Sequence, residues 1–151
     1  MANTQAMCTS FKGELLVGHH NFGTGVTRGS TAADTFKAAL YLASATVNAA
    51  TTAYSATNEV SGTGYTAGGV TVTFGTPPST SGTTAFVTPS ASISYSAVTL
   101  STAFDAVLIY NSTQSNKAVS VHTFGSQTVT AGTFTLMMPV NDASTGLIRL
   151  A

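Results

Sequence analysis

The chain reads as an all-β protein: a single antiparallel β-sandwich, jelly-roll-like, preceded by a short N-terminal helix or arm. Three observations predict this. From residue 69 onward, short runs rich in Val, Ile, Thr, Phe and Tyr recur, with Gly, Pro, Asn, Asp or Ser between most of them. The length of 151 residues suits one domain able to bury a core without metal or disulfide staples. Charged residues make up only 7 %, against about 25 % in an average domain, while 43 % are hydrophobic. The apolar content is enough to fold, and Ser and Thr hydroxyls must cover much of the surface.

The expected elements follow in order. "NTQAMCTSFKGELLVG" sets Met7, Phe11 and Leu15 four residues apart, with Asn3 or Thr4 as an N-cap and Gly18 as a stop, which fits a short amphipathic helix. Gly13 weakens that helix by about 1 kcal/mol relative to Ala, leaving an extended arm as the alternative. Residues 1–30 are therefore read as helix or arm plus linker, and 31–151 as the β-domain. "DTFKAALYLASATV" fits both periods, and its Thr and Ser flanks favour a strand. Strands are then expected at 69–74, 83–88, 91–100, 103–111, 117–124, 132–139 and 145–151. "STQSN" between the fourth and fifth of these suits an antiparallel hairpin with Val107, Ile109, Val119 and Val121 on one buried face. "GTPPSTSGTT" reads as a surface loop.

Composition also excludes partners. Five Lys and Arg balance five Asp and Glu, and none of the basic residues cluster, so the electrostatic footprint of nucleic-acid binding is missing. Low surface charge removes a barrier to close association and suits an assembling protein. The first twenty residues lack the basic start and apolar run of a secretory signal, and no apolar run reaches membrane-spanning length, so no membrane partner is expected. Cys8, as the one cysteine, forms no internal disulfide.

Catalytic patterns fare no better. "NEVSGTGYTAGG" places Gly62, Gly64 and Gly68 close to a dinucleotide fingerprint, but the third glycine falls one residue late and a strand pattern follows where a helix should start. These glycines, with Gly69, read as turn or loop residues. His19 and His20 are adjacent and lack a third metal ligand nearby. His122 falls out of register with the valines beside it and reads as a solvent-facing or interface residue. No G-x-S-x-G elbow occurs, and Glu14, Asp34, Glu59, Asp105 and Asp142 are dispersed. Asp105 and Arg149 lie in apolar strands, where they either face outward or pair. Met137 and Met138 read as fillers of core or interface gaps. The expectation is no enzymatic activity, no cofactor and no metal.

"FKAALYLASATVNAATTAYSATNEVSGTGYTAGGVTVT", "FDAVLIYNSTQSNKAVSVHTFG" and "GTFTLMMPVNDASTGLIRLA" together resemble a family of small virion structural proteins of tailed bacteriophages. The resemblance covers most of the chain, and its glycine-rich segment is the most specific part. It implies a non-enzymatic particle component, a capsid cement or decoration protein that stabilises the head shell and is assembled in the host cytoplasm. The implied partners are the major capsid protein or other virion subunits, including further copies of itself. Contact with a neighbour is expected through Met7, Phe11, Leu15, Leu16 and Tyr65, and packing of the N-terminal segment on its own core is the competing expectation. The alternatives are a tail, neck or fibre component, or a carbohydrate-binding module stacking sugars on Tyr54, Tyr65 or Tyr95.

Overall fold

The computed structural model describes residues 3–8, 10, 11, 15, 18–20, 22–24 and 33–150. Eight strands form: β1 (Ala6–Met7), β2 (Phe36–Leu42), β3 (Val70–Val72), β4 (Ser79–Ser81), β5 (Thr84–Val87), β6 (Ile93–Asn111), β7 (Lys117–Leu136) and β8 (Ile148–Leu150). They make two antiparallel sheets, one of five strands in the order β1-β7-β6-β2-β3 and one of three in the order β4-β5-β8. The all-β, two-sheet arrangement expected from the sequence is thus present. The strand order identifies no more specific named topology.

β2 is buried along nearly its whole length, which explains why its sequence fitted no clean alternation. Register assigns its two faces: Phe36, Ala38 and Leu40 lie beside Asn111, Ile109 and Val107, whereas Lys37, Ala39 and Tyr41 lie beside Tyr110, Leu108 and Ala106. Phe11, Phe22, Phe36 and Phe74 pack against one another, with the Phe22 and Phe36 rings stacked at 4.5 Å. Val87 of β5 and Ile148 of β8 join the same buried cluster, so the small sheet contributes to one shared core. Beside Tyr41, the segment 43–69 lies against the sheet: Val60 donates its N–H to the Leu40 carbonyl, and Ala43 donates to that of Ala103.

The β6–β7 hairpin departs from the expected segmentation. Where the sequence suggests two strands on each side, β6 runs unbroken for 19 residues and β7 for 20. "GSQTVTA", which reads as a break, is absorbed by irregular register between Tyr95 and Ala106, with Ala97 (φ 53°) and Ala131 (φ 46°) in the left-handed region. Bulges admit extra residues without ending the strand. The "STQSN" turn is as expected, with Ser115 and Asn116 at positive φ.

Other details correct the sequence reading. Val107, Ile109, Val119 and Val121 are all buried, but they do not share one face. Val107 pairs with His122 and Ile109 with Ser120, whereas Val121 pairs with Leu108 and Val119 is the extra residue of a bulge. The sheet is covered on both sides there, so alternation no longer marks an inside and an outside. Part of "GTPPSTSGTT" is not loop but the β4–β5 hairpin, turning at Gly82 (φ 57°). Asp105 and Arg149 have separate partners: Asp105 accepts a hydrogen bond from the Asn3 amide, and Arg149 donates to the Ala143 and Ser144 carbonyls.

The N-terminal segment belongs to this architecture. Met7, expected on a helix, sits in β1, where it pairs with Ser120, and Cys8 donates its N–H to the Val119 carbonyl. Phe11 and Leu15 do have helical backbone, though no complete helix is delimited among the described residues.

Candidate functional site

The glycine-rich segment builds the most elaborate polar site in the molecule. Glu59 is 9 % exposed, and its carboxylate is met by three donors at 2.7 Å: Tyr54 Oη on Oε2, and Tyr65 Oη and the Gly68 N–H on Oε1. Tyr65 Oη in turn accepts the Leu40 N–H at 3.0 Å. Three further phenols tie this loop and the neighbouring strands together. Tyr41 donates to the Ser55 carbonyl, Tyr95 to that of Ala38, and Tyr110 to that of Gly68, at 2.6, 2.8 and 2.8 Å. All five tyrosines of the chain therefore converge on one region, with Tyr54 stacked on Tyr110 at 4.7 Å and Tyr65 on Tyr95 at 5.9 Å.

Two glycines permit this approach. A Cβ on Gly69 (φ 73°) would stand 1.7 Å from the Ala38 carbonyl oxygen, and one on Gly64 (φ 78°) would stand 2.3 Å from that of Ala97. At both positions the loop backbone lies against a strand backbone, where only hydrogen fits. Read from the sequence as turn or loop residues, they also allow close packing of main chain on main chain.

What this cluster can do chemically is limited. The carboxylate is filled with donors, and burial pushes Tyr41 up to about 12 and raises Tyr54, Tyr65, Tyr95 and Tyr110 as well. Phenols held neutral on a satisfied carboxylate lock a loop and leave no group poised for proton transfer. Tyr54 stacks one ring face on Tyr110 and Tyr65 one on Tyr95, so each of these rings already has an aromatic neighbour where a sugar would stack.

A second polar cluster, which the sequence did not indicate, fixes the β6–β7 turn. The fully buried Asn111 donates to Asp34 Oδ2 at 2.7 Å and lies 3.1 Å from His20 Nδ1, while its carbonyl oxygen accepts the Thr113 and Gln114 N–H groups. His20 packs among the rings of Phe11, Phe22 and Phe36. Among the described residues no three ligating side chains gather around a metal position. His122 is half-buried rather than solvent-facing, and its Nε2 lies 2.9 Å from Ser120 Oγ. Burial lowers the imidazole to about 4. That makes it a weak base, and no carboxylate among the described residues orients it, so the pair lacks the machinery of a nucleophilic serine.

Of the five residues expected to contact a neighbour, four are described, and none of those four is exposed. Phe11 is fully buried in the chain's own core, and Met7 and Leu15 are half-buried against it. Leu16 lies outside the described residues. Tyr65 belongs to the Glu59 cluster, with its phenol at the Leu40 N–H. Phe11 and Leu15 also line an apolar cavity of about 130 Å³ with Phe22, Phe86, Ile148 and Leu150. Among the described residues of this segment, Met7, Phe11 and Leu15 pack on the chain's own core.

An open surface exists elsewhere. β1 pairs with β7 only at Ser120 and Val121, so among the described residues no strand lies along the outer side of β7 from His122 to Leu136. That edge carries no Asp, Glu, Lys or Arg from Ala118 to Asn141. Just beyond its end, Met137 is 79 % exposed and Val140 70 % exposed. Met138 packs against the core, as expected of a gap filler, but Met137 does not.

No family model matches the chain, and no curated protein or solved structure is significantly similar to it.

Proposed function

We propose that this chain is a non-enzymatic structural protein of a phage virion, and specifically a capsid cement or decoration subunit that stabilises the head shell. The observation that carries the reading is the long uncharged edge of β7, ending at the exposed Met137 and Val140. Proteins that act alone usually protect such an edge with Lys, Pro or a covering segment. A subunit that works by joining neighbours has reason to leave it open. The sequence resemblance to small virion proteins supports the same reading. So does the interior, where every polar cluster described above is closed on itself and serves the fold.

A cement protein binds the assembled shell and not the free capsid subunit, so it stabilises the shell by mass action. Purified protein added to shells that lack it raises their resistance to heat and internal pressure, up to a saturating occupancy. Saturation with no gain in resistance argues against a cement role. A tail, neck or fibre position remains the second structural reading, favoured by the same open edge, and is distinguished by few copies at one vertex in place of many over the shell.

A further inference from the structure

Along β7 one short window differs from the rest of the open edge. From Tyr95 to Ala106 the pairing of β6 with β7 is irregular, but Ile93, Ser94 and Tyr95 themselves pair in unbroken register with Leu136, Thr135 and Phe134. Bulges twist an edge and hinder a further strand from joining it. The left-handed Ala131 bounds the regular window on one side. Pro139, which has no N–H to donate, bounds it on the other. Between them runs "GTFTLMM", residues 132–138, in which Phe134, Thr135 and Leu136 hold the regular register with β6 and Met137 and Met138 continue past the end of the strand.

We propose that this window is where a second copy of the chain docks, by antiparallel pairing of the two β7 edges about a two-fold axis at Thr135. The inference rests on the reading of the chain as an assembling subunit, and the sequence of the window selects the occupant. With Thr135 on the axis, Thr133 faces Met137 of the other copy and Phe134 faces its Leu136. Alternation then gives each face of the joined sheet a self-consistent set. Thr133, Thr135 and Met137 lie on the face where Ser94 Oγ already sits 3.1 Å from Thr135 Oγ1 and Ser92 Oγ lies 3.5 Å from Met137 Sδ. Phe134, Leu136 and Met138 lie on the other, packed against the core.

Cross-strand threonine pairs and apolar pairs each favour association, and like charges placed opposite each other oppose it. This window has the first two and none of the third. The exposure of Met137 also acquires a use, since the partner's backbone and the Thr133 beside it would cover that side chain. The window is short, and the contact falls below the roughly 1,000 Å² of a stable interface. Pairing is therefore weak for two free copies and becomes effective when many copies are held side by side on a particle.

The test is disulfide trapping together with sedimentation. A Thr135→Cys variant places one thiol on the axis, where opposed Cα atoms in an antiparallel pair stand about 4.5–5.5 Å apart, within disulfide range. Treated with oxidised glutathione, it should form a covalent dimer in high yield. Thr128→Cys, on the same strand but outside the window, should not, and the buried Cys8 serves as the internal control. Wild-type protein should show concentration-dependent association as it is raised towards about 1 mM, a range in which weak pairs are visible. Thr135→Lys should abolish association and, by removing the exposed Ser94–Thr135 hydroxyl contact, lower the melting temperature only slightly. Equal crosslinking of the two cysteine variants, or an ideal wild-type monomer throughout, overturns the proposal. Counting copies on particles keeps this separate from the virion reading. Protein that decorates shells but never pairs refutes only the pairing, and protein that pairs but binds no particle refutes only the virion role.

Discussion

The two sides of this molecule handle backbone and polar groups in opposite ways. Against β2 and β6, the segment 43–69 is tied down by five phenols, two of its own and three from the strands, by the Glu59 carboxylate, and by two glycines pressed onto strand backbone. Along the outer side of β7, fifteen residues from His122 to Leu136 have no strand beside them among the described residues. The closed side shows that burying a charge is tolerable when donors surround it. On the open side, no described strand pairs with β7 beyond Val121, and the proposed function places assembly there.

Breaking the closed side should have the largest effect. Glu59→Ala strands Tyr54, Tyr65 and the Gly68 N–H without an acceptor, and should cost about 3–6 kcal/mol in chemical denaturation. Glu59→Gln retains one acceptor oxygen and should cost less. A loss below 1 kcal/mol for the alanine variant would mean that the cluster does not hold the loop. Phe11→Ala empties a fully buried position and should cost about 3–5 kcal/mol in the isolated protein. A stable variant that fails only in assembly would instead restore the reading of this segment as a clamp on a neighbour.

The pH dependence sharpens the contrast more gently. The Tyr41 phenol is raised from 10.0 to about 12 by burial, so the stability it contributes is complete below pH 10 and is lost as pH rises through about 12. The His122 imidazole is lowered from 6.5 to about 4, so its contribution is complete above pH 6.5 and is lost as pH falls through about 4. Urea midpoints measured from pH 3 to 12 should be flat between these limits, and His122→Phe should flatten the acid limb. The smallest effect belongs to the open side. Thr128→Lys should change stability by no more than about 0.5 kcal/mol, because this exposed side chain has no described hydrogen bond.

How far the sequence foretold this differs between the two sides. Strand propensity placed β2 through its Thr and Ser flanks and the "STQSN" hairpin through its turn residues, because both signals are local. The continuity of β6 and β7 was not legible, since a bulge and a break have the same small polar composition until the partner strand is known. The strand that follows the glycine-rich segment was legible in "GVTVTF", but the pull of Glu59 on Tyr54 and Tyr65 depends on how the loop folds back, which spacing does not encode. The periodicity of Met7, Phe11 and Leu15 suggested one helical stripe; Phe11 and Leu15 do have helical backbone, but Met7 joins β1, where Ala6 and Met7 find an edge partner in Val121 and Ser120. The open edge itself could have been suspected from one signal, the absence of charge from Ala118 to Asn141.

The measurement that bears most directly on the proposed function is cryo-electron microscopy of intact particles carrying this protein. The account predicts many symmetry-related copies on the outer face of the head, each with its β7 edge against a neighbouring subunit. Particles without the protein on the shell, or with β7 facing open solvent in every copy, would contradict it.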